Sequence, residues 1–262
     1  MADEFTAPGA ADTGLGAPEP RMVDAGRGAS WWSEGWRLFL PGVGIWVLIT
    51  LILICLHVLG AFVPVVGSLA LQILLPVFIG GLMLGCRALD RGNPLTLGHL
   101  FAGFSQQTGP LIMVGLIYTG LAILITLIVA GVMIAIFGVA ILGMLTGATD
   151  PSQTGVALGN VVVAVLLGIL FFLLLLLPLI MAVWFAPALV MLGGAGPGAA
   201  LKASFHGCLR NIVPMLVYGA IGIVLAIIAS IPFALGWLVL APVALASIYA
   251  SYCDIFEDKG GA

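Results

Sequence analysis

The placement of charge constrains this chain more than any other feature. No Asp, Glu, Lys or Arg occurs between Arg37 and Arg87, between Arg91 and Asp150, between Asp150 and Lys202, or between Arg210 and Asp254. Each gap exceeds the roughly 20 apolar residues that a helix needs to cross a hydrocarbon core of about 30 Å. Composition agrees: 62% of the 262 residues are hydrophobic and 7% are charged, against about 25% charged in soluble domains. Such a chain cannot clothe itself in a surface compatible with water. The expected fold class is all-α, a polytopic membrane protein.

Turn signals divide the apolar stretches into six spans. They fall at about Pro41–Phe62, Leu69–Cys86, Pro110–Ala130, Val156–Ala186, Pro214–Ile231 and Trp237–Tyr252. The uncharged run after Pro110 is too long for one span, so the extension from Gly131 to Leu145 is expected to lie at the far interface or to re-enter. Positive residues fix the orientation, because Lys and Arg are retained in the cytoplasm. The eight of them are Arg21, Arg27, Arg37, Arg87, Arg91, Lys202, Arg210 and Lys259. All lie before the first span, after the last, or between spans two and three or four and five. Both termini are therefore expected in the cytoplasm, with Asp150 alone among charges on the far side.

Residues 1–28 are rich in Ala, Gly, Pro and acids without apolar periodicity, and read as a disordered cytoplasmic tail. No basic start or apolar core of a signal peptide is present there. The six-span domain is expected over 29–256, as hairpins near 41–86, 110–186 and 214–252, with 257–262 as a second tail.

An order of elements recurs three times. The segments SWWSEGWRLFLP, HLFAGFSQQTGP and KASFHGCLRNIVP end at Pro41, Pro110 and Pro214. Each precedes a span, a turn and a second span, and each second span carries a proline: Pro76, Pro178 and Pro242. The chain thus reads as three hairpins, each preceded by a short cytoplasmic interfacial helix. Proline inside a helix removes an i to i−4 bond, so these three are expected kinks. In the first segment Trp31, Trp32 and Trp36 suggest an anchor at headgroup level. In the second, Leu97, Leu100, Phe101 and Phe104 give the apolar face of one helix ended by Pro110. In the third, Leu201, Phe205, Cys208 and Leu209 face the membrane, opposite Lys202, His206 and Arg210. Lys202, His206, Arg210 and Asn211 are the expected contact with lipid headgroups or a partner. The pairs Gly81 with Gly85 and Ser247 with Ser251 allow close helix contact or a homo-oligomer.

Chemistry is sparse. No span holds a charge, which disfavours a coupled pump; His57, Gln72, Thr119, Thr126 and Asn160 are the polar residues within them. No GxSxG, HExxH or Walker pattern occurs. Cys55, Cys86, Cys208 and Cys253 show no metal-site spacing, and no cofactor is expected. No basic tract points to nucleic acid. The expected function is that of a non-enzymatic accessory or scaffold acting on the lipid bilayer or on a membrane-protein partner. The alternatives are a small-solute or lipid transporter using the kinked helices, and a membrane enzyme using His99 and His206 with Asp90 or Asp254.

Over about residues 21–256 the sequence resembles a loose superfamily of six-span bacterial membrane proteins. That group includes the membrane domain attached to some glycerophosphoryl diester phosphodiesterases. The matching positions are Ala200, Ser204, Asn211, Pro214, Tyr249, Tyr252 and Asp254. RGASWWSEGWRLF and RALDRGNPLTLGHLFAGF are similar to an uncharacterised proteobacterial family of the inner membrane. The resemblance implies that location and imports no activity, since no phosphodiesterase catalytic domain is present.

Overall fold

The computed structural model describes residues 16–145 and 154–257. Every regular element among them is helical. The helices are α1 (Arg27–Phe39), α2 (Val43–Ala61), α3 (Val66–Asp90), α4 (Gly98–Phe101), α5 (Gly103–Gln106) and α6 (Thr108–Leu145), followed by α7 (Thr154–Trp184), α8 (Ala186–Gly193), α9 (Pro197–Arg210), α10 (Ile212–Ser230) and α11 (Trp237–Phe256). Six helical stretches are long and apolar enough to cross a membrane: Arg27–Ala61, Val66–Asp90, Thr108–Gly138, Val162–Gly193, Ile212–Ser230 and Trp237–Phe256. The protein is an integral, multi-pass membrane protein.

The closest packing joins α1 to α11 and α10, α3 to α6 and α8, and α7 to α6 and α9. Inside lipid no hydrophobic force draws helices together, so small residues that let backbones approach decide where they meet. A Cβ on Gly28 would lie 2.2 Å from the Pro214 carbonyl oxygen, and one on Gly35 would lie 2.6 Å from that of Val243. These glycines seat α1 on α10 and α11. Gly35 also meets Ser247, so the expected small-residue stripe of α11 serves a contact within the chain. The pair Gly81 and Gly85 does likewise: added Cβ atoms would lie 2.4 Å from the His99 oxygen and 2.5 Å from a Leu95 methyl.

Four expectations change. Trp31 and Trp32 are buried in protein, and only Trp36 is well exposed; their indole N–H groups find partners on α10 and α11 instead of at headgroup level. The second segment is broken between α4 and α5 at Ala102, and Pro110, expected at the boundary between that segment and the third span, lies in the first turn of α6, which begins at Thr108. Its missing N–H costs little in the first turn. The 131–145 extension is an unbroken continuation of α6, which totals 38 residues, or about 57 Å. A uniformly apolar sequence without a breaker gives helix no reason to stop. Part of the 1–28 tail is also held in place: residues 1–15 lie outside the described residues, but 16–26 form a strap bonded to α9 and α11.

Pro76, Pro178 and Pro242 each lie inside a helix that continues through them. The interruption in the fourth apolar stretch falls later, between Trp184 and Ala186. There the Ser204 hydroxyl enters the ladder: it accepts from the Phe185 N–H at 2.9 Å and donates to the Met181 oxygen at 2.7 Å. A side chain inserted between an i and i−4 pair is a recognised cause of bending. Pro187 follows, with no N–H to rejoin the ladder.

Candidate functional site

Polar side chains converge where the strap, α1, α9 and the end of α11 meet. Asp254 is buried. Its Oδ2 accepts from Arg27 Nε at 2.5 Å and from Trp31 Nε1 at 2.9 Å. Arg27 also donates to Glu34 Oε1 at 2.7 Å. A buried carboxylate is tolerable because a cation and a hydrogen-bond donor meet it. Two further ion pairs tie α3 to this end: Arg37 to Asp90, at 2.7 Å, and Arg87 to Glu257. The first is exposed on both sides and contributes under about 1 kcal/mol. Trp32 donates to the Tyr218 carbonyl at 3.0 Å and stacks on that ring with centroids 4.7 Å apart. Tyr218 in turn shares a 2.8 Å bond with Ser247.

The strap is clamped by Asn211. Its Oδ1 accepts from the Val23 N–H at 2.9 Å, and its Nδ2 donates to the carbonyls of Arg21 at 2.8 Å and Gly207 at 2.9 Å. These partners fix which end of the amide is oxygen. The amide thus pairs with residues 21 and 23 as a neighbouring strand would. Arg21 adds a bond from its N–H to the Ile255 oxygen, and Arg210 Nη1 donates to the Pro20 oxygen. Asn211, expected as a surface contact, is 1% exposed; its polarity is spent on the strap.

Lys202, His206 and Arg210 are exposed, on the side of α9 that faces the strap. With Glu19 and Pro18 they line an open cavity of about 610 Å³. His206 Nδ1 lies 2.7 Å from the Lys202 oxygen. The carbonyl can only accept, so Nδ1 carries the proton and Nε2 is left for another partner. Of the four residues expected to face the membrane, Cys208 alone is buried in protein. The buried face of α9 is a separate, small-residue one. It consists of Ala200, Ser204, Gly207 and Cys208, and a Cβ on Gly207 would lie 2.5 Å from the Phe256 ring. Leu209 is half exposed. In lipid the bulky apolar side chains turn outward and the small ones face protein. Burial pushes the Cys208 thiol up to about 12, so it stays protonated and poorly nucleophilic near neutrality.

Other expected residues do not join this site. His99 Nδ1 accepts from the Thr96 N–H at 3.0 Å, a local bond across the turn that leads into α4. Among the described residues no group of three or more His, Cys, Asp or Glu is placed to hold a metal. Pro242 lines a separate cavity of about 400 Å³ between α2, α3 and α11, whose walls include Trp46, Ile49, Phe78 and Leu82. Only Thr50 and His57 bring polarity to it, and each is bonded to a carbonyl of its own helix. The strap and its clamp escaped sequence reasoning; the one local signal was Asn211 standing between a polar helix and an apolar run. No family model, curated protein or solved structure matches this chain.

Proposed function

We propose that the protein is a non-enzymatic accessory or scaffold of a bacterial inner membrane, with both termini in the cytoplasm, acting through lipid or a protein partner. The basic edge of α9 carries this reading. Lys202, His206 and Arg210 stand in a row beside a cavity, and Leu209, Ile212 and Val213 lie exposed next to them. An anionic headgroup over the basic row with its acyl chains against the apolar stripe matches that order of chemistry. The three-hairpin arrangement with interfacial segments, and the resemblance to the six-span bacterial superfamily, belong to the same proposal. Purification in lipid nanodiscs tests it. The double variant Lys202→Ala with Arg210→Ala should retain several-fold less anionic phospholipid than the parent. Equal retention would remove the lipid reading and leave the protein-partner one, to be tested by crosslinking from the same positions.

A second reading, a lipid transporter, draws on the apolar cavity beside Pro242. Its lining suits an acyl chain and offers nothing to a hydrated solute. Cysteine scanning around Pro76, Pro178 and Pro242 should then find reactive positions along one path; uniform inertness would end that reading.

A further inference from the structure

We infer that the cavity between α2, α3 and α11 is a site for one phospholipid of the leaflet opposite the charged end. An acyl chain fills the cavity, and an N–H or O–H of the headgroup donates to His57. The inference takes up the cavity on which the lipid-transporter reading draws, and adds a preference among headgroups that requires no transport.

The shape fits one chain. The cavity holds about 400 Å³, within the range of small-molecule sites. Trp46 and His57 both line it and stand about 16 Å apart along α2. That is about half of a hydrocarbon core of roughly 30 Å, the depth of one leaflet. Trp46, Ile49 and Leu82 are buried on its inner side, whereas Ile54, Val58 and Leu75 are exposed at its mouth. The mouth belongs to two candidate spans with no charge between Arg37 and Arg87, so it opens sideways on lipid tails. An empty void of this size would forfeit the contacts of its lining.

Apolar fit does not choose among lipids, because a tail gives up contact with other tails to gain it on protein. The choice falls to His57. Its Nδ1 lies 2.8 Å from the Leu53 oxygen. The carbonyl can only accept, so Nδ1 carries the proton and Nε2 presents a lone pair. The other polar hydrogens of the wall are spent: the Thr50 hydroxyl donates to the Trp46 oxygen at 2.9 Å, and Trp46 Nε1 to the Leu38 oxygen at 3.4 Å. His57 lies about 6 Å along α2 from its end at Ala61, where the chain turns back to α3, away from Arg37 and Arg87. A chain seated between His57 and Trp46 carries its headgroup at that end, beside Nε2. An ammonium or a hydroxyl donates to the lone pair; a trimethylated choline has no hydrogen to give.

Photocrosslinking of the full chain in nanodiscs tests this. Benzoylphenylalanine replaces Val58 at the mouth or, as a control on the exposed side of α10, Ile223. The discs hold equal parts of phosphatidylethanolamine and phosphatidylcholine with the same chains, two headgroups of equal net charge that differ in N–H. Mass spectrometry of the adducts reads the lipid at each position. Relative to Ile223, Val58 should favour the ethanolamine lipid about threefold to tenfold, the range of one net hydrogen bond. In His57→Leu the preference should vanish; a preference that survives would overturn the role of His57. Lipid adducts at Ile223 with none at Val58 would overturn the site itself. A second set of discs, with phosphatidylglycerol in place of the ethanolamine lipid, tells a hydroxyl donor from an ammonium. Enrichment of either lipid at Val58 supports the inference, and enrichment of neither overturns it. Enrichment without movement of lipid between leaflets would end the transporter reading and leave this site standing.

Discussion

The charged end around α1 and α11 and the long pair α6 with α7 are made from similar residue types and use them in opposite ways. In α11 most of the apolar window is buried, whereas in the corresponding window of α6 none is. At the charged end backbones touch through Gly28 and Gly35, and aromatic rings are sealed by N–H bonds. Along α6, positions such as Gly120 and Gly131 have nothing within 4 Å of an added Cβ. The difference shows that apolarity in this chain carries two meanings: fit to protein where small residues permit approach, and fit to lipid elsewhere.

Substitution at glycine should separate the two regions most sharply. Gly28→Val drives a side chain into the Pro214 carbonyl, and overpacking of this degree costs about 3 kcal/mol or more. The variant should fail to give a monodisperse species in detergent. Gly120→Ala should be neutral or stabilising by up to about 1 kcal/mol, because it raises helix propensity in open space. If thermal unfolding of both variants is alike, the distinction between the regions fails. Next in size is Asp254→Ala, which leaves Arg27 and Trp31 without their shared acceptor. Removing one partner of a buried pair costs about 3–5 kcal/mol; the partial exposure of Arg27 and its second bond to Glu34 put the expectation at the low end. A fall in the midpoint of thermal unfolding checks it.

Asn211→Ala should act locally. The strap should become open to proteolysis near Met22, while α10 and α11 keep their protection from hydrogen exchange; loss of protection throughout would show that the strap holds the bundle and is not merely held by it. The smallest effect concerns Thr119, whose buried hydroxyl has no hydrogen-bond partner. Thr119→Val keeps the shape and removes an unsatisfied group, so stability should be unchanged or slightly higher.

Six long apolar helices were legible because partition between water and lipid acts on local composition, and charge marks the boundaries directly. What covers each helix was not legible. The pattern Trp31, Trp32 and Gly35 describes an amphipathic face equally well for a headgroup layer or for α10 and α11. On α9 a bulky face toward the membrane and a basic face were expected, but the small-residue face of Ala200, Ser204 and Gly207 that packs on protein was not. The strap lacks periodicity, and its bonds run through its backbone to a side chain nearly two hundred positions away. Of the seven positions on which the expected resemblance rests, six have 6% exposure or less, and Pro214 is buried as well. Ser204, Asn211 and Asp254 among them bend, clamp and anchor. That is why such residues speak of architecture more than of activity.

The bonds from Arg27 and Trp31 to Asp254, and from the strap to Asn211 and Ile255, join the first described residues to the last. In a chain made from its N-terminus, α1 and the strap emerge well before the partners they bond. Until α11 emerges, Arg27 and the Trp31 indole lack Asp254, whereas Trp32 finds its partner earlier, on α10. The last turn of α11 therefore closes the contacts of α1: without it, Arg27 and Trp31 lose the acceptor they share.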